Sequence, residues 1–187
     1  MSVGRRGFSL IELLMVLSMI GLLAAFAIPR INVARMKSDG AARLVRMLVM
    51  NAQRTSITRQ SNTIVSFDLA NSRIRIVEDY NNNDTLNTTD RVYWRGLPEG
   101  VKFLTPPMVR VIGGSASSAL QGSDLRTVSS YLSMTFRRDG SASSDVDLYF
   151  SARAAVANEF RALTISPSTG RTDLYRWSGT AWVRMTQ

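Results

Sequence analysis

Apolar side chains run almost unbroken over residues 8–28, recur at helical spacing to about residue 58, and then give way to short alternating segments. The first stretch holds 21 residues, which at about 1.5 Å each is just enough to cross a hydrocarbon core about 30 Å thick. It predicts a transmembrane helix. After Pro29 the apolar positions Ala34, Ala41, Val45, Leu48 and Ala52 are interleaved with Arg35, Arg43, Arg46 and Arg54, an amphipathic helical pattern over residues 30–58. Pro29 lacks a backbone donor and crowds the preceding turn, so it is expected to kink or loosen the helix between the two halves. From residue 62 the period becomes two. Residues 63–68 and 73–78, joined by Ala70-Asn71-Ser72, predict a β-hairpin, with further strands expected at 91–95, 101–104, 108–112, 133–138, 147–151, 162–166, 171–177 and 182–185. Half of the 18 residues in 113–130 are Gly or Ser, which predicts a mobile loop. The fold class expected is therefore α+β: a long N-terminal helix and a β-rich head of antiparallel sheets over residues 62–187.

One position interrupts the apolar run. Glu12 lies inside it, where a carboxylate costs roughly 2.5 to 3.5 kcal/mol even on lenient insertion scales. Such a residue requires a partner. Arg5 and Arg6 precede the run, and flanking cations of this kind stay in the cytoplasm, which sends the remaining chain to the far side. If the chain is cut between Gly7 and Phe8, the new α-amine stands four residues from Glu12, on the same helical face. A secretory signal cleaved after Ala25-Phe26-Ala27 is the competing reading; an acidic residue would damage its apolar region.

The basic leader, the Gly7/Phe8 junction, Glu12 and the apolar helix broken at Pro29 together resemble the class III signal of type IV pilins and pseudopilins. That resemblance implies a leader of residues 1–7 removed by a prepilin peptidase and methylation of the new N-terminal Phe8. It implies that Glu12 meets a neighbouring subunit's N-terminal amine, so that other pilins or pseudopilins are the partners. It also implies single-pass residence in a bacterial inner membrane, with the head in the periplasm or outside. The β part resembles the GspH/FimT branch, comprising the H-type pseudopilin of type II secretion and minor type IV pilins. The resemblance rests on an Asp/Asn-rich segment after the first hairpin, the Leu97-Pro98-Glu99-Gly100-Val101 turn and the Ile165-Ser166-Pro167-Ser168-Thr169-Gly170-Arg171 hairpin. The function it implies is that of a minor, structural filament subunit, with DNA capture for transformation as the alternative.

Composition narrows the chemistry. The 187 residues contain neither Cys nor His, which excludes disulfides, thiolate chemistry and the commonest general base and metal ligand. No serine-centred nucleophile motif is present, so no enzyme activity and no required cofactor are expected. The formal net charge is +9, and 21 of the 23 basic residues are Arg, only Lys37 and Lys102 being lysines. Such a balance attracts polyanions, or else records a well-solvated surface.

Two segments offer candidate sites. Asp79, Asn81, Asn83, Asn87 and Asp90 stand at positions 1, 3, 5, 9 and 12 of a calcium-loop template, with Thr85 offering a carbonyl at 7. Position 6 is Asp84 instead of the Gly such loops use, and Asn and Asp also crowd ordinary hairpin loops. At the C-terminus Arg171, Arg176 and Arg184, with Trp177 and Trp182, are the candidate DNA-binding group, or else are sheet aromatics with solvated arginines. DNA-uptake pilins of the FimT kind resemble this segment but carry a second Arg where Asp173 stands here.

Overall fold

In a computed structural model the chain is described over residues 9–27 and 33–186. It divides into two compact units, residues 1–33 and 34–187. The first contains helix α1 (Leu10–Ala27), whose sequence puts apolar residues on every face, with Glu12 and Ser18 as its polar positions. The second begins within helix α2 (Val33–Arg59), and the physics of that helix organises the head.

Along α2 the buried positions are Ser38, Ala41, Ala42, Val45, Leu48, Val49, Ala52 and Ser56, a stripe at three- and four-residue spacing. Several are small, which lets the helix backbone lie close to the strands beneath it. Those strands form two antiparallel sheets. In the first, β1 (Asn62–Asp68) and β2 (Arg73–Asp79) form a hairpin paired from Asn62–Asp79 to Asp68–Arg73. Its turn is set by Asp68, whose carboxylate accepts from the Asn71 N–H at 3.1 Å, the Asn71 amide at 2.8 Å and Arg73 Nε at 2.7 Å, while Ser72 takes a positive φ. β3 (Arg91–Gly96) flanks β2, β7 (Tyr131–Phe136) flanks β1, and β6 (Arg126–Val128) closes the far edge.

The second sheet has β8 (Val146–Ser151), β9 (Arg161–Ile165), β10 (Thr172–Trp177) and β11 (Trp182–Arg184) in sequential order. The short strands β4 (Lys102–Phe103) and β5 (Leu120–Gln121) both pair with β8. Alternate residues of the two sheets, among them Val65, Phe67, Ile74, Ile76, Leu148, Phe150, Leu163 and Ile165, join the α2 stripe in one core. Polar ties reinforce it. Gln53 on α2 donates to the carbonyls of Gly140 and Thr169, at 2.8 and 2.9 Å, in two separate turns of the head. Asp39 accepts from Arg161 Nε at 2.6 Å, and Arg161 is fully buried.

Two stretches differ from the sequence pattern. Residues 108–112 form no strand; Val109 and Ile112 are exposed, and a lone bridge joins Val109 to Ser115. Pro106 and Pro107 just before lack donors, and Gly113 and Gly114 with positive φ turn the chain back before a ladder can grow. Residues 113–130, expected as a mobile loop, contain β5 and β6 instead. They are pinned where the Ser123 N–H meets Asp145 Oδ1 at 2.6 Å and the Asp124 N–H meets Ser144 Oγ at 3.1 Å. A side chain at Gly122 would lie 2.3 Å from the Asp145 carbonyl, so this segment crosses against its neighbour too closely for any residue but glycine.

Candidate functional site

The start of α1 has a local structure that explains one role of Glu12. The Glu12 N–H points at Ser9, whose carbonyl lies at 3.1 Å and whose Oγ lies at 3.2 Å, and the Leu13 N–H reaches the same carbonyl at 3.2 Å. Ser9-Leu10-Ile11-Glu12 thus has the Ser-x-x-Glu spacing of a capping box, with the carboxylate in the first turn, where the helix dipole favours a negative charge. Glu12 is exposed, and among the described residues no cation pairs with it. Leu10, Ile11 and the large apolar residues through Leu23 are exposed as well, a surface that water alone would not select. No helix among the described residues is long and apolar enough to cross a membrane. The 18 residues of α1 rise about 27 Å against a hydrocarbon core of about 30 Å. Gly7, Phe8 and Pro29 lie outside the described residues.

The Asp/Asn loop after β2 is held by a network of its own hydrogen bonds and tied to the sheet by Asn62, whose N–H meets Asn82 Oδ1 at 2.7 Å. Asp79, buried at its base, accepts from the Asn83 N–H at 3.3 Å and the Asp84 N–H at 2.7 Å. Asn81 Oδ1 accepts from the Asn83 N–H, and Asn83 Oδ1 from the Thr85 N–H and hydroxyl and the Asn87 amide. Asp90 accepts from the Asn87 N–H at 2.8 Å and lies 3.4 Å from the Tyr80 N–H. Asp84, the residue in place of glycine, adopts φ 57° and makes the sharp turn itself. Its carboxylate then leaves the loop to pair with Arg126 on β6 at 2.8 Å. Of the oxygens read from sequence as metal ligands, those of Asp79, Asn81, Asn83 and Asp90 are thus met by the loop's own N–H groups. Among the described residues no group of three or more Asp or Glu side chains converges to hold a metal ion.

In the C-terminal hairpin, Tyr175 pairs with Arg184 and Trp177 with Trp182. Alternation puts Asp173, Tyr175 and Trp177 on one face and Thr172, Leu174 and Arg176 on the other. Asp173 takes both neighbouring arginines: Arg171 Nε lies at 3.2 Å, and Arg184 forms a short ion pair with the same carboxylate. Trp182 packs edge-on to Trp177, with ring centroids 5.4 Å apart, and donates to the Val109 carbonyl at 2.7 Å. The structure therefore brings Arg171 and Arg184 together on an acid and sends Arg176 to the opposite face.

A cluster that sequence reasoning missed lies behind this hairpin. Asp147, fully buried on β8, receives Arg110 Nε and Nη2 at 3.0 and 2.9 Å on one oxygen, with the Tyr149 hydroxyl at 3.3 Å; its other oxygen has no partner. Burial holds the Asp147 carboxyl above the usual carboxylate range despite Arg110, and pushes the Tyr149 phenol up to about 12. The available signal was Asp147 itself, a charged residue in an otherwise apolar strand.

Residues 3–28 match the prokaryotic N-terminal methylation motif. No protein of curated function matches the chain. Among solved structures, the chain is similar to the minor pseudopilin EpsH from the type 2 secretion system of Vibrio cholerae. The identity is 11%, covering 75% of this chain and 97% of that one, with a TM-score of 0.48. The chain thus bears a prokaryotic N-terminal methylation motif, followed in sequence by an α+β head of antiparallel sheets.

Proposed function

We propose that this protein is a minor, structural subunit of a type IV pilus or type II secretion pseudopilus, held in the bacterial inner membrane until it is drawn into a filament. A prepilin peptidase would cut between Gly7 and Phe8 and the new Phe8 amine would be methylated. The observation that carries the reading is the methylation motif over residues 3–28, with Glu12 set in the first turn of a helix apolar on all sides. In an apolar surround an unpaired carboxylate is expensive, so Glu12 favours the register in which a neighbour's N-terminal ammonium meets it. The role is assembly and not catalysis, in keeping with a chain that has neither His nor Cys. DNA capture by the C-terminal hairpin would lose two of its three arginines to Asp173, and no observation favours it.

The test pairs processing with incorporation. Co-expressed with a prepilin peptidase, the wild-type chain should lose residues 1–7 and gain one methyl group by intact mass. Glu12→Ala should be processed and membrane-inserted like wild type yet fail to enter sheared filaments. Normal incorporation of that variant would overturn the role given to Glu12, and a mature N-terminus at Ile28 would overturn the pilin reading altogether.

A further inference from the structure

Beside α2 lies a groove of about 550 Å³, bounded by that helix on one side and by β10 and the residues after β11 on the other. Its floor is apolar: Met47 and Met50 from α2, Leu174 from β10, and Met185. Met47 is 55% exposed, while Leu174 is buried in the head's core and Met185 packs against that core. Positions 43, 47, 50 and 54 recur at alternating four- and three-residue spacing, the seam by which one helix receives another. The seam is about 16 Å long, three helical turns. Methionine suits such a floor because its unbranched, polarizable side chain refits to different apolar partners.

The rim is basic; the nearest acid, Asp173, lines an adjoining niche with Arg46 and already holds Arg171 and Arg184. Arg43, Arg46 and Arg54 line the groove, and no acidic residue does. Some arginines of the head are paired, Arg59 with Glu78, Arg110 with Asp147, Arg126 with Asp84 and Arg161 with Asp39, while others, such as Arg91, Arg137 and Arg176, form no ion pair among the described residues. Among the described residues none of the three groove arginines has a carboxylate partner. Arg46 adds an independent sign: its Nε is buried and has no hydrogen-bond acceptor. A desolvated donor without an acceptor is costly, and a shift of the Arg46 side chain toward an arriving oxygen would relieve that cost.

The occupant must therefore bring carboxylates and apolar side chains together at helical spacing. A second copy of this chain has the wrong sign, since it carries net charge +9 and would set the same arginines against each other. A nucleic acid would satisfy the arginines but leave the methionine floor without an apolar partner. We infer that this groove docks an acidic amphipathic helix of a partner protein. Leu-like side chains of that helix fill the space over Met47 and Met185, and Asp or Glu side chains meet Arg43, Arg46 and Arg54. The inference does not depend on the filament reading.

The experiment uses the full chain in neutral detergent micelles and two fluorescein-labelled synthetic helices: one of Leu and Glu in heptad spacing, and a twin with Lys in place of every Glu. Fluorescence anisotropy at low salt should show saturable binding of the acidic helix, weakening as salt rises, and none of the basic twin. Arg43→Gln and Arg54→Gln, both at exposed positions, should each weaken binding about tenfold, one charge-assisted contact apiece. Met47→Ser should weaken it with all charges intact. Equal binding of the two helices, no binding at low salt, or affinities unchanged in all three variants would overturn the proposal. So would displacement of the acidic helix by a single-stranded oligonucleotide or by anionic vesicles at lower concentration than unlabelled acidic helix, because the arginines would then serve phosphates.

Discussion

Asp147 is the residue whose energetics are most exposed to test. It is fully buried, one of its oxygens has no partner, and Arg110 alone supplies countercharge to the other. Removing Arg110 leaves the carboxylate buried and unpaired, a loss of about 3 to 5 kcal/mol at neutral pH by the usual cost of breaking a buried pair from one side. Asp147 already titrates above its ordinary 3.8 because burial disfavours the anion. A folded-state pKa raised in this way supports the fold below the ordinary value, where Asp147 is protonated in both states. That support is lost as pH rises through the folded-state value, because the fold must then ionise the group in a dry site. Taking away Arg110 raises the folded-state value further. Urea unfolding of Arg110→Ala against wild type should therefore show a large deficit at pH 7 that narrows steadily toward pH 4. A deficit independent of pH would mean that Arg110 acts by packing and not by charge.

At the scale of elements, the Asp/Asn loop owes its shape to Asp79, which accepts from the Asp84 N–H and shares the Asn83 N–H with Asn81. Asp79→Ala should lower stability by about 2 kcal/mol, within the range for losing hydrogen bonds to a charged group. It should also speed amide exchange at Asn83 and Asp84 while the β8 and β9 amides keep their protection; protection unchanged at Asn83 would sink this account of the loop. The elements also mark how far the sequence could be read. The first hairpin was legible because its alternation and its Ala70-Asn71-Ser72 turn act within a dozen residues, and α2 because its buried stripe follows the helical period. Residues 108–112 were not: their alternating valines and isoleucine suit a strand, but flanking prolines and paired glycines decide the backbone there. The short strands in 113–130 escaped because their order comes from Asp145 and Ser144, some twenty residues away. For the candidate sites the limit was the same. The sequence grouped Arg171, Arg176 and Arg184, but only the β10–β11 register set Arg184 beside Asp173 and Arg176 on the other face. Nothing in the local sequence of α2 revealed that its arginines and Met47 and Met50 would face Leu174 of β10 and Met185 across a groove.

For the head as a whole, the decisive feature is that two separate sheets meet in one core through α2. No ladder joins β1 to β8, yet Val65 and Phe67 of the first sheet and Leu148 and Leu163 of the second belong to the same apolar cluster as Ala41, Val45 and Ala52. Gln53 bonds at once to the turn at Gly140, just after β7, and to the turn at Thr169, between β9 and β10. A side chain at Gly170 would lie 2.2 Å from the Gly140 carbonyl, so these two turns are in direct contact beneath the helix. Opening either sheet therefore strips the same helix stripe and exposes the other sheet's inner face to water. The cost of partial opening approaches that of global unfolding, and the sheets should behave as one cooperative unit. Native-state hydrogen exchange tests this. The slowest amides of β1 and β7 and those of β8 and β9 should report a single opening free energy and a common dependence on denaturant. Two distinct values would mean that α2 is fixed to one sheet and merely rests on the other, and the more labile sheet would then identify the part of the head that is free to rearrange when a partner docks along α2.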